Sequence, residues 1–308
     1  MGNGARPAPK RNLSEDSMFR ITAGIDFEHY QKALSIVQRL KPANGAIDLI
    51  HVVESLLPDE SFPNLASTHP VAMIMAERNR QGHAELDKAE SLLEGSGLQI
   101  NKLMTQGDPP REILDQANSS GADLIAVGSG KKGTWSSLFF GSVTKALAVQ
   151  ATQSILVAKN SVTHSNGLHL VFAVDDSEYC GECLDLFLTW ELKGIRRVTL
   201  VRSAPPLIIP GEIPVSDFVE INQDIEARAK DHLEGVADRM RSAGYEVDTI
   251  LTQRHINLAI DDAMKTLGGD LLVLGARGHG LLDRITLGSI SHYHVVGTPY
   301  NVLVVRVK

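Results

Sequence analysis

Residues 269–275 read Gly-Asp-Leu-Leu-Val-Leu-Gly, and residues 122–128 read Ala-Asp-Leu-Ile-Ala-Val-Gly, 147 positions earlier. The correspondence extends toward the N-terminus, where residues 19–26 match residues 168–175 at an offset of 149. Each of these segments is a short apolar run that ends in Gly or Asp. Self-similarity at a fixed period is the signature of duplicated structural units. The sequence therefore predicts two copies of one domain.

The length of the chain agrees with a duplication, because 308 residues at about 150 per domain give two domains. Residues 1–18 are rich in Gly, Pro and basic side chains without hydrophobic periodicity, and we expect a disordered tail there. Domain 1 is expected at residues 19–160 and domain 2 at residues 168–308. The polar, turn-rich segment 161–167 is the expected linker between them.

Short apolar runs alternate with segments of helical period in each half. In the first half, strands are predicted at 19–26, 47–53, 99–105, 124–127 and 154–159, and helices at 27–40, 71–93, 109–118 and 142–150. Continuous apolar strands separated by helices are typical of a parallel sheet that is covered on both faces. We predict two tandem α/β, Rossmann-like open parallel sheets of five strands, with helices on both faces and right-handed crossovers.

The composition excludes several classes of protein. The formal net charge is −7, which provides no general attraction to a nucleic-acid backbone or to anionic lipid. No apolar run approaches the roughly 18 residues that span a bilayer, so we expect no membrane partner. There are only two cysteines, and the N-terminus lacks the apolar stretch of a signal peptide. A cytoplasmic location is the expectation.

The second half carries a glycine pattern at the end of a predicted strand. Gly275 and Gly278 follow the apolar run 271–274, and Gly288-Ser289 opens a segment of helical period, which gives the spacing G-x2-G-x9-G-S. Ligands of open parallel sheets bind beyond the carboxyl ends of the strands. Glycines there let a bulky anion approach the backbone, and the first amides of a helix are free to donate to phosphate. The pattern predicts a site for a triphosphate.

Together with the repeat, several segments resemble the universal stress protein family in its tandem form, over residues 19–308. They are Gly107-Asp108-Pro109, Gly121-Ala122-Asp123-Leu124-Ile125 and Gly141-Ser142-Val143-Thr144 in the first half, and Val174-Asp175-Asp176-Ser177 and Val302-Leu303-Val304-Val305 in the second. The resemblance implies an adenine-nucleotide-binding fold with strand order 3-2-1-4-5 in each half. It implies ATP as the ligand, with Mg²⁺ only as its companion, and a binding or signalling role in the stress response.

The resemblance also implies roles for residues of the second half. Asp175 would hold the adenine or ribose end of the nucleotide, and Val201 would line the adenine pocket. The ribose and the phosphates would be bound by Gly275, Gly278, Gly288, Ser289 and Ser291.

The first half matches at most of these positions but not at all of them. Lys131 stands where the second half has Gly278, and its side chain occupies a position that calls for close backbone approach. Its ammonium can still donate to a phosphate. We therefore expect ATP mainly in the second half, and a weaker first site formed by Asp26, Val52, Gly128, Lys131, Gly141, Ser142 and Thr144.

Three other functions stay open on the sequence. Cys180 and Cys183 form a C-x-x-C pattern just after a predicted strand, which is where a redox pair would lie. A slow Mg-dependent ATPase that uses Asp175 is the enzymatic alternative. The third is a scaffold that binds no nucleotide.

The last strand of each half predicts how the halves assemble. The runs 154–159 and 301–307 are apolar and would leave exposed edges, which proteins normally cover. The family resemblance implies that single domains dimerise by pairing these strands antiparallel. Because the linker keeps the two copies close together, we expect the same pairing within one chain, and a homodimer of that protomer. His292 and His294, two residues apart on a predicted helix, are expected at the surface or in partner contacts.

Overall fold

The structure is a computed structural model that describes residues 18–54, 69–130, 141–162, 166–207, 215–277 and 287–307, with the backbone alone at 215–218. Lys131 and Gly278 lie outside these residues. The strands are β1 (Phe19–Gly24), β2 (Gly45–Val53), β3 (Gln99–Gln106), β4 (Leu124–Gly128), β5 (Ser154–Ala158), β6 (Leu168–Ala173), β7 (Ile195–Ser203), β8 (Glu246–Thr252), β9 (Leu271–Gly275) and β10 (Val302–Val305). The helices are α1 (Tyr30–Leu40), α2 (Pro70–Leu92), α3 (Pro109–Ser119), α4 (Ser142–Gln150), α5 (Glu178–Thr189), α6 (Val215–Ser242), α7 (Ile256–Leu267) and α8 (Ser289–Gly297).

The ten strands form one continuous sheet in the order β3-β2-β1-β4-β5-β10-β9-β6-β7-β8. Each half contributes five parallel strands in the order 3-2-1-4-5, and the second half runs through that order in reverse. The predicted α/β fold and strand order are confirmed. The two sheets that the sequence predicts are the two halves of a single sheet.

The halves meet at β5 and β10, which pair antiparallel. Val302 lies opposite Val157, and Val304 lies opposite Ile155. All residues of both strands are buried, so an unpaired edge here would leave apolar side chains and backbone polar groups in water. The prediction that the last strands pair within the chain is confirmed.

A second contact joins the end of α1 to the loop before β7. The amide of Gly194 donates to the carbonyl oxygen of Leu40 at 3.0 Å, and the rings of Phe19 and Trp190 lie 5.1 Å apart. A Cβ on Gly194 would lie 1.6 Å from the carbonyl oxygen of Arg39, so only glycine permits this approach. The hydrophobic core on this face is therefore shared between the halves.

Two layers of helices cover the sheet. One core cluster buries the apolar sides of α1, α2, α5 and α6, and a second buries those of α3, α4, α7 and α8 on the opposite face. This arrangement explains why the central strands β4, β5, β9 and β10 are almost uniformly apolar rather than alternating. Among the helices in the described part of the chain, none combines the length and apolar character needed to cross a membrane.

The first helix begins three residues later than predicted, at Tyr30. Asp26 Oδ1 accepts hydrogen bonds at 2.7–3.2 Å from three successive backbone amides, those of residues 28–30. A side-chain acceptor before a helix satisfies amides that have no intrahelical partner. The apolar pattern could not locate this start, because Phe27 fits a helical period and yet precedes the capped turn.

Candidate functional site

A cavity of about 610 Å³ opens at the carboxyl edge of the first half. Its floor is formed by the ends of β1, β2 and β4, its far side by the start of α4, and one wall by α2. The floor is largely apolar, with Ile50, Val52, Ile113 and Val127 among its residues. Small-molecule sites typically have volumes of roughly 300–1,000 Å³ and apolar linings with a few polar groups. The cavity has the size and character of such a site.

The predicted residues of the first half converge on this cavity. Those that line it are Asp26, Val52, Gly128, Gly141, Ser142 and Thr144. They come from three strands and one helix, which are brought together because parallel strands present all their carboxyl ends at one edge.

The start of α4 directs backbone amides toward the cavity. Gly141 precedes the helix in an extended conformation, and no described side chain caps its first turn. Ser142, Val143 and Thr144 line the cavity, and helix N-termini with free amides favour anions. The Thr144 hydroxyl donates to the carbonyl oxygen of Gly128 at 3.4 Å, which ties the helix start to the end of β4.

Gly128 has a structural role that the sequence does not reveal. A Cβ at this position would lie 2.0 Å from the carbonyl oxygen of His29, and a Cβ on Gly130 would lie 1.5 Å from His29 Nε2. The glycines after β4 therefore make room for His29 at the start of α1. We predicted that glycines after such strands allow an anion to approach the backbone. In the first half, the close packing of His29 is by itself a sufficient reason for glycine at these two positions.

Several further residues that line the cavity were not predicted, among them Phe27, His51, Arg78 and Gln81. Phe27 and His51 lie next to predicted site residues, so their positions at strand ends were a usable signal. Arg78 and Gln81 belong to α2, and the sequence gives no indication of how that helix crosses the sheet. A guanidinium and an amide on this wall can donate hydrogen bonds to a polar ligand.

The second half shows the same framework around α8. The Ser291 hydroxyl donates to the carbonyl oxygen of Gly275 at 2.6 Å, as Thr144 does to Gly128 in the first half. The Gly288 amide donates to Ala276 at 2.7 Å, and Ser289 is exposed at the first position of the helix. Gly275, Gly288, Ser289 and Ser291 are thus brought together, whereas Gly278 lies outside the described residues.

The part of the second half to which the family resemblance assigns the adenine base differs from the equivalent part of the first half. Val201 is fully buried, whereas Val52 is only half-buried and lines the first cavity. Asp175 Oδ1 accepts hydrogen bonds from the amide and the hydroxyl of Ser177, at 3.0 and 2.5 Å. Asp26 is likewise engaged by amides of its own turn, so the two halves differ at Val201 and not at the aspartate.

A charged cluster lies beside Val201. Arg202 is 8% exposed, donates to Asp176 Oδ2 at 3.1 Å and lies 2.7 Å from His232 Nδ1 through its Nη1 atom. At the repeat offset of 149, Arg202 corresponds to Val53, and Asp176 corresponds to Phe27. Charged side chains in this half thus replace apolar residues that line the first cavity.

The two cysteines are buried free thiols. Burial raises the pKa of Cys180 to about 11 and that of Cys183 to about 12. Reactive cysteines need a thiolate at working pH, so this environment disfavours a redox pair. Within the ranges that the structure describes, no group of three or more His, Cys, Asp or Glu side chains is arranged to hold a metal ion.

Comparison with known proteins identifies the same two repeated units that the sequence pattern predicts. The model of the universal stress protein family matches the chain twice, over residues 18–159 and 168–306. The stress response protein NhaX of Bacillus subtilis is 29% identical over 103 residues, a match that covers 33% of this chain and 59% of NhaX. The universal stress protein YxiE of the same organism is 26% identical over 132 residues, which cover 42% of this chain and 89% of YxiE.

Solved structures share the architecture of the whole chain. A universal stress protein from Archaeoglobus fulgidus has a TM-score of 0.60 at 17% identity, covering 93% of this chain and 98% of that one. A functionally unknown protein from Pseudomonas aeruginosa has a TM-score of 0.59 at 13% identity, covering 94% of this chain and 93% of that one. At these identities the likeness concerns the fold. Since the family model matches both halves almost from end to end, the chain belongs to the universal stress protein family.

Proposed function

We propose that this protein binds an adenine nucleotide, namely ATP, and acts as a binding or signalling module of the stress response. One observation carries the proposal: six residues that the family resemblance assigns to nucleotide binding line a single cavity of about 610 Å³. The stress-response role rests on membership of the family and on the stress-related names of similar proteins.

The residues of the cavity fit such a ligand. The apolar floor at the ends of β2 and β4 suits a planar base, and the free amides of α4 suit phosphate. Mg²⁺ commonly binds through substrate phosphates and water rather than through a protein cage. It would therefore arrive with the triphosphate, and the ligand set would not have to come from the chain.

The second half offers a further candidate phosphate-binding position at the start of α8. Ser289 is exposed there, and no described side chain caps the helix. Our sequence-based hypothesis is that ATP binds mainly at this position, with Gly278 completing the site. The cavity of the first half makes that half an equal candidate, so the number of nucleotides per chain is the quantity to measure.

A matched pair of substitutions tests the proposal. Gly141→Val and Gly288→Val place a branched side chain at the helix start of each half, where the backbone is extended and accepts any residue. Among the described residues, the nearest atom to a Cβ at Gly141 is Thr144 Oγ1, at an ordinary contact distance of 3.7 Å, so the fold of Gly141→Val should be retained. Each variant should weaken ATP binding in its own half at least tenfold, about 1.4 kcal/mol.

Calorimetry with ATP on the wild type and both variants gives affinity and stoichiometry. Nucleotide in the supernatant of the heat-denatured protein would give independent support. Accumulation of ADP during incubation would favour the slow ATPase. An absence of ATP binding in the folded wild type would refute the proposal and favour the scaffold.

A further inference from the structure

Phe27 is an exposed aromatic residue that lines the cavity of the first half. It follows Asp26 at the end of β1, and half of its surface is exposed. A large exposed aromatic side chain in a concave site is a recognised contact for planar ligands, because stacking on the ring buries apolar area.

The ring of Phe27 is braced from one side by a buried imidazole. Its centroid lies 5.0 Å from that of His51, with the two planes at 70°. His51 is 3% exposed, and its Nδ1 atom donates to the carbonyl oxygen of Ile25 at 2.8 Å, which fixes the imidazole in place. Half of the Phe27 surface remains exposed beside this contact, and the residue lines the cavity.

Helix α2, which forms one wall of the cavity, packs closely against His51 of β2 because Gly82 has no side chain. A Cβ there would lie 2.4 Å from His51 Cδ2. The turn of α2 that precedes Gly82 carries Arg78 and Gln81 into the lining of the cavity. An aromatic face, an apolar floor and two hydrogen-bond donors on the wall together suit a flat heterocycle with polar atoms on its edge.

The second half has lost these features. Asp176 stands at the position of Phe27 and is paired with Arg202, which stands at the position of Val53 and contacts His232. A carboxylate offers no ring for stacking, and the guanidinium of Arg202 is buried and already paired, so this pair does not reproduce the exposed aromatic ring and apolar side chain of the first half. The two halves therefore differ most at the end of the site where a base would lie.

We propose that Phe27 is the stacking residue for the base of the bound nucleotide, and that it makes the first half the base-selective one. This inference rests on the proposed nucleotide binding and specifies which half reads the base. Phe27 contributes to recognition of the nucleoside, whereas the start of α4 binds the phosphates, so the two contributions are separable.

The test compares three ligands by calorimetry: ATP, adenosine and inorganic tripolyphosphate. Phe27→Ala should weaken binding of ATP and of adenosine alike, by about fivefold or more, and should leave tripolyphosphate within about twofold, since stacking involves the base alone. Gly141→Val should weaken the binding of ATP and of tripolyphosphate and should leave adenosine within about twofold, since this position contacts the phosphates alone. Phe27→Trp should retain ATP, and its indole fluorescence should change when adenosine is added.

Leu258→Ala is the matched control, because Leu258 is also 50% exposed and lies on α7, outside the lining of the cavity. It should leave the binding of all three ligands unchanged. Unaltered binding of ATP and adenosine by Phe27→Ala would overturn the role of Phe27 while leaving nucleotide binding intact. An equal loss of tripolyphosphate would overturn it as well, and a wild type that binds no nucleotide would overturn both proposals.

Discussion

Lys159 and Arg306 occupy equivalent positions of the repeat, and each reaches across the β5–β10 junction to the end of a helix in the other half. Lys159 Nζ lies 2.6 Å from the carbonyl oxygen of Thr298, just beyond α8. Arg306 Nη1 lies 2.7 Å from the carbonyl oxygen of Ala151, just beyond α4. The last carbonyls of a helix lack intrahelical partners and favour cations. Two reciprocal caps thus reinforce the strand pairing.

Removing one of these caps should destabilise the protein. Arg306→Met leaves carbonyl oxygens at the end of α4 buried without a donor, which should lower the free energy of unfolding by about 1–3 kcal/mol. Arg306→Lys should recover part of the loss. Urea unfolding measures the change.

Arg228→Met is the control for this comparison, because the Arg228 side chain is 84% exposed. Its effect should stay within about 0.5 kcal/mol. If Arg306→Met destabilises no more than this control, the capping role is wrong.

His294 was expected at the surface, and that expectation is wrong. It is 0% exposed, and neither ring nitrogen has a partner among the described residues. Residues two apart on a helix point in different directions, so His292 faces solvent and His294 faces the core. The first half has Leu147 at the equivalent position, also fully buried.

His294→Leu should stabilise the protein, and more strongly at acid pH. Burial lowers the pKa of His294 to about 4, while Asp261 and Lys159 act on it in opposite directions. Between about pH 6.5 and pH 4, the unfolded chain binds a proton that the folded chain does not, so stability falls as the pH falls, by up to about 1.4 kcal/mol per unit. The variant should lose this slope.

Chemical denaturation at several pH values measures the effect. His292→Leu, on the exposed side of the same helix, should keep the slope of the wild type. An identical slope in His294→Leu would show that the imidazole is not the titrating group.

Equivalent glycines at the ends of β4 and β9 should respond differently to alanine. Gly128→Ala places a Cβ 2.0 Å from a backbone oxygen and should cost about 1–3 kcal/mol of stability. Among the described residues, a Cβ at Gly275 meets nothing closer than 3.4 Å, and we expect Gly275→Ala to change the free energy of unfolding by less than about 1 kcal/mol. Thermal and urea unfolding of the pair give the comparison. Equal effects would mean that His29 does not set the requirement at Gly128.

Breaking the β5–β10 junction should separate the halves. Val304 lies in β10 between Ile155 of β5 and Leu274 of β9. Val304→Pro removes a backbone donor from a central strand and should cost about 3 kcal/mol or more, with apolar surface exposed.

Val304→Ile, which keeps a β-branched apolar side chain, is the control for that change. Size-exclusion chromatography and dye binding report expansion and exposed apolar surface. A proline variant with an unchanged hydrodynamic radius and melting temperature would show that other contacts hold the halves together. The same chromatography on the wild type tests the predicted homodimer.

The sequence by itself determined the duplication and the alternation of strands and helices, and together with the family resemblance it predicted the pairing of the last strands. These features follow from local patterns: a repeated apolar run ending in Gly or Asp, and two apolar strands that need a partner. The positions of Asp26, Gly141 and Ser142 at strand ends and a helix start were also predictable, because parallel strands end at a common edge.

Only the tertiary structure decided which side chains outside the repeat pattern line the cavity of the first half. That outcome depends on how α2 crosses the strands, because α2 brings Arg78 and Gln81 to the cavity. Such contacts join residues far apart in the chain, and local periodicity carries no information about them. The burial of His294 is a second example, because it depends on which face of α8 packs against the sheet.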